Sequence, residues 1–279
     1  MIGRWISKKI KAQGCSNNGP VNQTNLIKKE IDMTTTTNVE IKRLNQVEVT
    51  LRMVGTTPLY FNSMSAKTKR DLLIGGGKKT AAEKKNIKHN PEQEFKDSLY
   101  KKSYGETLLC FPAPGIKQAM ATAALETDGI KKTTVNRLLF LPEQYVNVWG
   151  TPYLKMDIVR SADINKTPDV RTRGYLPRWC AEVRLRFIAP ALSTFDVTSL
   201  LSNAGTIVGI GDFRQEKGRG SFGCFDVFDG KNKNIPEWKD IIKESREAQQ
   251  HAMDYPICAD PETEELMEMI GIERQKRAA

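Results

Sequence analysis

The stretch Ala181-Glu-Val-Arg-Leu-Arg-Phe-Ile188 decides how the rest of this chain is read. Val183, Leu185 and Phe187 alternate with Glu182, Arg184 and Arg186, the period of two that sets one face of a β-strand on a core and the other in water. Pro190 ends the run. Downstream, Val197, Leu200, Leu201, Ala204 and Val208 recur at helical spacing, with Thr194 or Asp196 as N-cap, which predicts a helix over about 195–208. A glycine-rich loop follows, and then a last strand over 222–228.

Towards the N-terminus the pattern repeats. Val47, Val49, Leu51 and Met53 alternate with Glu48, Thr50 and Arg52, so a first strand starts near residue 47. Pro112 and Pro114 open a segment in which Ile116, Ala119, Met120 and Ala123 fall on one helical face. The runs 146–149 and 153–159 form one or two strands, split near Gly150-Thr151-Pro152. With insertions at 63–109 and 160–179 set aside, the order is strand, helix, strand, strand, helix, strand. That predicts an α+β, ferredoxin-like domain over 47–229, an antiparallel sheet with two helices on one face. Residues 230–279 read as C-terminal helices: one from Pro236 to about Ala252, and one over about 262–276 with a stripe of Leu266, Met269 and Ile270. This last helix either docks on its own domain or contacts another subunit.

The candidate chemistry lies in Gly209-Ile-Gly211-Asp-Phe-Arg-Gln-Glu-Lys217-Gly-Arg-Gly220-Ser-Phe-Gly-Cys-Phe225. Glycines leave backbone N–H groups within reach of an anion, so Gly218 and Gly220 join Arg214, Lys217 and Arg219 as a phosphate-binding set. Phe213 and Phe222 offer ring faces for a base. A nucleotide P-loop is excluded, because Lys217 is followed by Gly218 instead of Ser or Thr. A dinucleotide fingerprint is excluded too, since here the helix comes before the glycines. The competing reading is a plain turn carrying solvated cations.

Both insertions extend this basic character. Between Ala66 and Lys102 there are eleven Lys/Arg and five Asp/Glu, a net charge of +6 in a chain whose total is +10. Lys67, Lys69 and Arg70 form a cluster that could clamp a strand, Gly75 to Lys79 reads as a hinge, and 91–100 as a short helix. In the second insertion, Arg171, Arg173 and Tyr175 are spaced by two and share a face of an extended segment, with Trp179 further along. Cations interleaved with aromatics suit a splayed single strand; the alternative is a hairpin whose aromatics pack on the domain and whose arginines pair with Asp163 or Asp169.

The 43 Lys+Arg against 33 Asp+Glu favour an anionic partner. Cys15, Cys110, Cys180, Cys224 and Cys258 are far apart with no Cys-x-x-Cys pair, so reduced thiols are expected, with no metal and no cofactor. No run has the length of a membrane span, and a cytoplasmic protein with no membrane partner is expected. Residues 1–46 lack periodicity and read as a disordered tail. Met33 is an alternative start, since codons for Lys29-Glu30 can spell a bacterial ribosome-binding sequence.

With Lys217-Gly-Arg-Gly-Ser-Phe-Gly between the second helix and the final strand, the chain resembles the repeat-associated RNA-binding (RAMP) superfamily of CRISPR systems. Within it the likeness is to the backbone subunits of effector complexes. The resemblance spans about 47–228 and implies a modified RNA-recognition fold, an insertion after the first strand, and a thumb-like hairpin between the middle strands. It also implies a non-catalytic protein that forms a homo-oligomer along single-stranded RNA or DNA, with RNA the expected ligand. Two alternatives stand beside it. One is an RNA-processing endoribonuclease, which needs a positioned acid and base, whereas spacing gives neither His89 nor His251 a partner. The other is a structural assembly protein with a basic interface. Arg219-Gly-Ser-Phe222-Gly-Cys-Phe225-Asp-Val-Phe228 is also similar to the aromatic motif of RNA-recognition domains, but it falls on the last strand; Phe225 and Phe228 are read as packing residues and Phe222 as the exposed one.

Overall fold

The alternating run that opens at Ala181 becomes β8 (Cys180–Ala189), at the middle of an antiparallel sheet. The computed structural model describes residues 43–75, 89–160, 167–217, 220–232 and 234–278, apart from the side chains of Lys67, Lys217 and Ala278. The expected tail up to residue 42, the Met33 start, Cys15 and the hinge beyond Gly75 lie outside the described residues.

On one side β8 pairs with β1 (Asn45–Gly55), and on the other with β5 (Tyr145–Trp149) and the short β4 (Leu139–Phe140). β9 (Phe225–Asp229) adds to the far edge of β1, and β3 (Cys110–Pro112) to that of β5, giving the order β3-β5-β8-β1-β9. The register sets Val47 opposite Phe187, Val49 opposite Leu185 and Leu51 opposite Val183, so apolar partners share the core face. Charges meet on the other face: Arg52 contacts Glu182 at 3.3 Å and Arg186 contacts Glu48 at 2.5 Å, while Arg184 pairs with Glu143. The outward arginines of the sheet are therefore engaged with carboxylates.

The covering helices are α3 (Ala113–Ala123) and α5 (Thr194–Ile207), which contact one another, with α5 against β9. Ile116, Ala119, Met120, Val197, Leu200 and Leu201 are all buried, as their spacing predicts. The N-cap of α5 is Ser193, one residue before the expected Thr194: its hydroxyl accepts from the Asp196 N–H at 3.1 Å while Asp196 accepts from the Ser193 N–H at 2.8 Å. This reciprocal box satisfies two otherwise orphaned donors, which a single cap at Thr194 cannot do.

Several boundaries differ from expectation for identifiable reasons. β6 (Tyr153–Arg160) does not prolong β5; it pairs along its length with β7 (Pro168–Leu176), and with β2 (Leu59–Tyr60) these form a second, three-stranded sheet in the order β2-β7-β6. The reversal occurs at Gly150, whose φ of 129° and 2.4 Å approach of a would-be Cβ to the Arg178 carbonyl admit only glycine. The second insertion thus starts at Tyr153, not at residue 160. β1 begins at Asn45, inside the expected tail, and β9 begins at Phe225 because residues 222–224 belong to the glycine loop.

The first insertion contains a helix that the sequence reading did not single out, α1 (Ala66–Ile74), capped by the Ser65 hydroxyl, as well as the expected short helix, α2 (Pro91–Ser98). The helix expected from Pro236 is broken into α6 (Pro236–Ile241) and α7 (Arg246–Asp254). In α8 (Pro261–Ala278) the inward stripe is Leu266, Met267 and Ile270, half-buried against the core, whereas Met269 is 63% exposed. No described helix is long and apolar enough to cross a membrane.

Candidate nucleic-acid interface

The glycine loop is built more by close packing than by exposed amides. Gly211 (φ 86°) lets the chain pass where a Cβ would meet the Tyr60 carbonyl at 2.5 Å, and Gly223 (φ 71°) sits against the Ile210 carbonyl. The N–H of Gly209 donates to Ala204, that of Asp212 to Tyr60 at 3.1 Å, and that of Gly223 to Pro58 at 2.8 Å. The N–H groups of Gly209, Asp212 and Gly223 are thus used within the chain. Gly218 lies outside the described residues, and Gly220 packs against the Phe213 carbonyl.

A charge pair, buried on its arginine side and partly exposed on its aspartate side, fixes the loop to the β6–β7 hairpin. Asp212 accepts a hydrogen bond from the Asn62 amide at 2.9 Å and contacts the Arg173 guanidinium at 2.9 Å. Arg173 is only 3% exposed, and its guanidinium carbon lies 4.6 Å from the centre of the Phe213 ring. Its Nε and Nη1 have no hydrogen-bond partner among the described residues. Arg173 is thereby corrected from a strand clamp to the residue that holds the glycine loop, because the loop covers the face of β7 that spacing alone would leave open. Arg171, two residues earlier, stays exposed and lines a cleft of about 550 Å³ with Asn62, Thr68, His89 and Asp169.

The remaining candidates separate. Arg214 donates to Glu216 at 2.8 Å and to the Gly211 carbonyl at 3.1 Å, so its charge is locally neutralised beside a smaller pocket of about 320 Å³. Lys69 and Arg70 are exposed on α1. The side chains of Lys67 and Lys217, and all of Arg219, lie outside the described residues. Trp179 is not a stacking residue: it is fully buried, donates to the Thr57 carbonyl at 2.8 Å and packs edge-on against Phe225.

Four rings meet at the junction of hairpin and loop. Tyr60, itself buried, is contacted edge-to-face by Phe222 at 4.8 Å, Tyr175 at 5.1 Å and Phe213 at 5.3 Å. Phe222 is therefore half-buried in a cluster, not a lone exposed ring. The four line a groove of about 700 Å³ together with Lys155, Asp157 and Asp260. Burial pushes the Tyr60 hydroxyl and the Asp157 carboxyl up from their ordinary ranges. Burial acts to raise Asp260 as well, but hydrogen bonds from Lys155 and Thr263 outweigh it and hold that carboxyl low.

His89 does have partners, which chain spacing hid: its Nδ1 is 3.1 Å from Glu94 and its Nε2 3.5 Å from Asp169. His251 packs against Tyr255. The thiols of Cys110, Cys180 and Cys224 are buried, and burial pushes Cys110 up to about 11. Tyr60, Asp157 and Asp212 were not in the binding set picked from sequence, since the partners of each lie on other elements: Tyr175 and Phe222 for Tyr60, and Arg173 for Asp157 and Asp212. Neither a scan against protein-family models nor a search of curated proteins finds a match to this chain.

Proposed function

We propose that this protein binds single-stranded nucleic acid, RNA in preference to DNA, without catalysing a reaction on it. Copies of the chain lie side by side along one ligand, in the manner of the backbone subunits of the RAMP superfamily. The fold assigned in this reading is ferredoxin-like: β1, α3, β5, β8, α5 and β9 follow the expected chain order, and the sheet order β5-β8-β1-β9 agrees with it. The β6–β7 hairpin takes the place of the thumb between the middle strands.

The observation that carries the proposal is the docking of the glycine loop on this hairpin through Asp212, Arg173 and the four-ring cluster. That docking brings the start of the cation-bearing glycine loop beside a hairpin with an exposed Arg171, and puts aromatic rings at their junction. Cations for phosphates next to rings for bases are what a splayed strand requires.

Filter binding to a single-stranded RNA at increasing salt tests it. Each phosphate contact adds about 0.7 to the log-log slope for single strands, so Lys217→Ala with Arg219→Ala should flatten the slope by about one or more. An unchanged slope would remove the loop from the interface. Labelled RNA is expected to remain intact with and without a divalent metal; cleavage would favour the endoribonuclease alternative.

A further inference from the structure

The groove over Tyr60 differs in chemistry from the cation-bearing surfaces around it. Its volume of about 700 Å³ lies in the range of small-molecule sites, and Tyr60, Tyr175, Phe213 and Phe222 form one side of it. Phe213 holds a left-handed backbone (φ 51°), which is costly for a bulky side chain and persists only where the surroundings enforce it. Here the enforcement comes from the bonds on Asp212 and the guanidinium over the ring, and the result is an aromatic surface on the groove wall.

The polar side of the groove carries two carboxylates, Asp157 and Asp260, and two cations, the Lys155 ammonium and the exposed Arg160 guanidinium at its rim. Asp260 is satisfied, accepting from Lys155 and from the Thr263 hydroxyl and N–H at 2.5 and 3.0 Å. Asp157 is not. Its Oδ2 is turned inward, shut off from solvent 3.9 Å from the Arg173 guanidinium with no hydrogen-bond partner among the described residues, while Oδ1, 3.9 Å from the Lys155 ammonium, is the oxygen left towards the groove. A carboxylate in this condition favours N–H donors. A planar ring bearing an amine suits both sides of the groove, its face against the aromatic rings and its amine towards the carboxylate, while Arg160 at the rim can meet the phosphate that follows the base.

We propose that this groove takes one unstacked base of the bound strand, and that it accepts bases with an exocyclic amine (adenine, cytosine or guanine) over uracil. The inference rests on the single-strand binding proposed above. The amine donates to Asp157, Lys155 donates to a ring nitrogen or carbonyl beside it, and the ring lies against the aromatic side. Uracil has no exocyclic amine and presents a carbonyl oxygen where cytosine and adenine carry theirs, while guanine offers its amine from the other side of the ring; the uracil oxygen meets the carboxylate with like charge.

Oligocytidine and oligouridine of twelve residues test this, because both are weakly stacking pyrimidine strands. The full-length protein should bind oligocytidine about tenfold more tightly than oligouridine, the worth of one hydrogen bond to a charged acceptor. Asp157→Asn, whose amide donates as well as accepts, should bring that ratio towards one. Tyr175→Leu and Phe222→Leu should each weaken oligocytidine binding about fivefold or more through lost stacking. Equal binding of the two oligomers by the unaltered protein, a full ratio retained in Asp157→Asn, or unchanged affinity in both leucine variants each overturns the base pocket while leaving strand binding intact. Failure of the unaltered protein to bind either oligomer overturns the underlying function and the pocket with it.

Discussion

At the residue scale, Arg173 has the largest consequences. It is a buried cation held by a single close carboxylate contact, with a ring beneath it and two donor nitrogens unsatisfied. Removing the carboxylate leaves the buried guanidinium uncompensated, so Asp212→Asn should cost about 3 kcal/mol and lower the urea midpoint, with Arg173→Ala less severe because the partly exposed Asp212 keeps its bond from Asn62 and its access to water. Asp157 behaves oppositely. Its carboxyl is raised above the ordinary value chiefly by burial, so the folded state binds the proton more tightly than the unfolded chain does. The stability linked to protonation is complete below the unfolded value of about 4 and is lost as pH rises through the folded one. Asp157→Asn should therefore raise the urea midpoint at pH 7, and this gain should disappear on acidification below about pH 4. A midpoint difference that does not change with pH would show that the charge of Asp157 is not its cause.

At the scale of elements, α7 is tied to the β3–β5 edge of the central sheet through one fully buried side chain. Gln249 accepts from the N–H groups of Leu108 and Leu109 at 2.9 and 3.0 Å and donates to the carbonyls of Val148 and Gly150 at 2.9 and 3.1 Å. Those four backbone groups lie where β3 and β5 run out of ladder partners. Gln249→Leu keeps the volume but orphans them, so a loss of about 3 kcal/mol or more is expected in chemical denaturation. By contrast, the Arg274 fork on Glu92, which joins α8 to α2, is solvent-exposed on both sides. Arg274→Ala should cost under about 1 kcal/mol and lose its effect in high salt.

Among the described residues, the whole molecule presents exposed Lys69 and Arg70 on α1 and an apolar end of that helix, with Leu73 85% exposed between Leu72 and Ile74. If copies assemble along a strand, material purified with its nucleic acid should be larger by light scattering than the same material after nuclease digestion. Oligomers that survive digestion unchanged would favour the assembly-protein alternative.

Local pattern alone made β1, β8, α3 and α5 readable, because a half-buried strand repeats every two residues and an amphipathic helix every three or four, whatever lies elsewhere in the chain. The glycine loop was readable as a special segment for the same local reason. Pattern could not tell that 153–159 leaves the central sheet, since a strand in either sheet alternates identically and only the partner differs. It marked Arg171 and Arg173 as equivalents, two apart on one strand; the loop that buries one and leaves the other exposed arrives from 40 residues away. Sequence by itself determined the strands and helices whose periodicity is sustained, as in β1, β8, α3 and α5, and where positive charge accumulates. Tertiary structure alone decided which charges remain available to a ligand and which rings gather around Tyr60, because burial and ion pairing depend on long-range neighbours that no local period encodes.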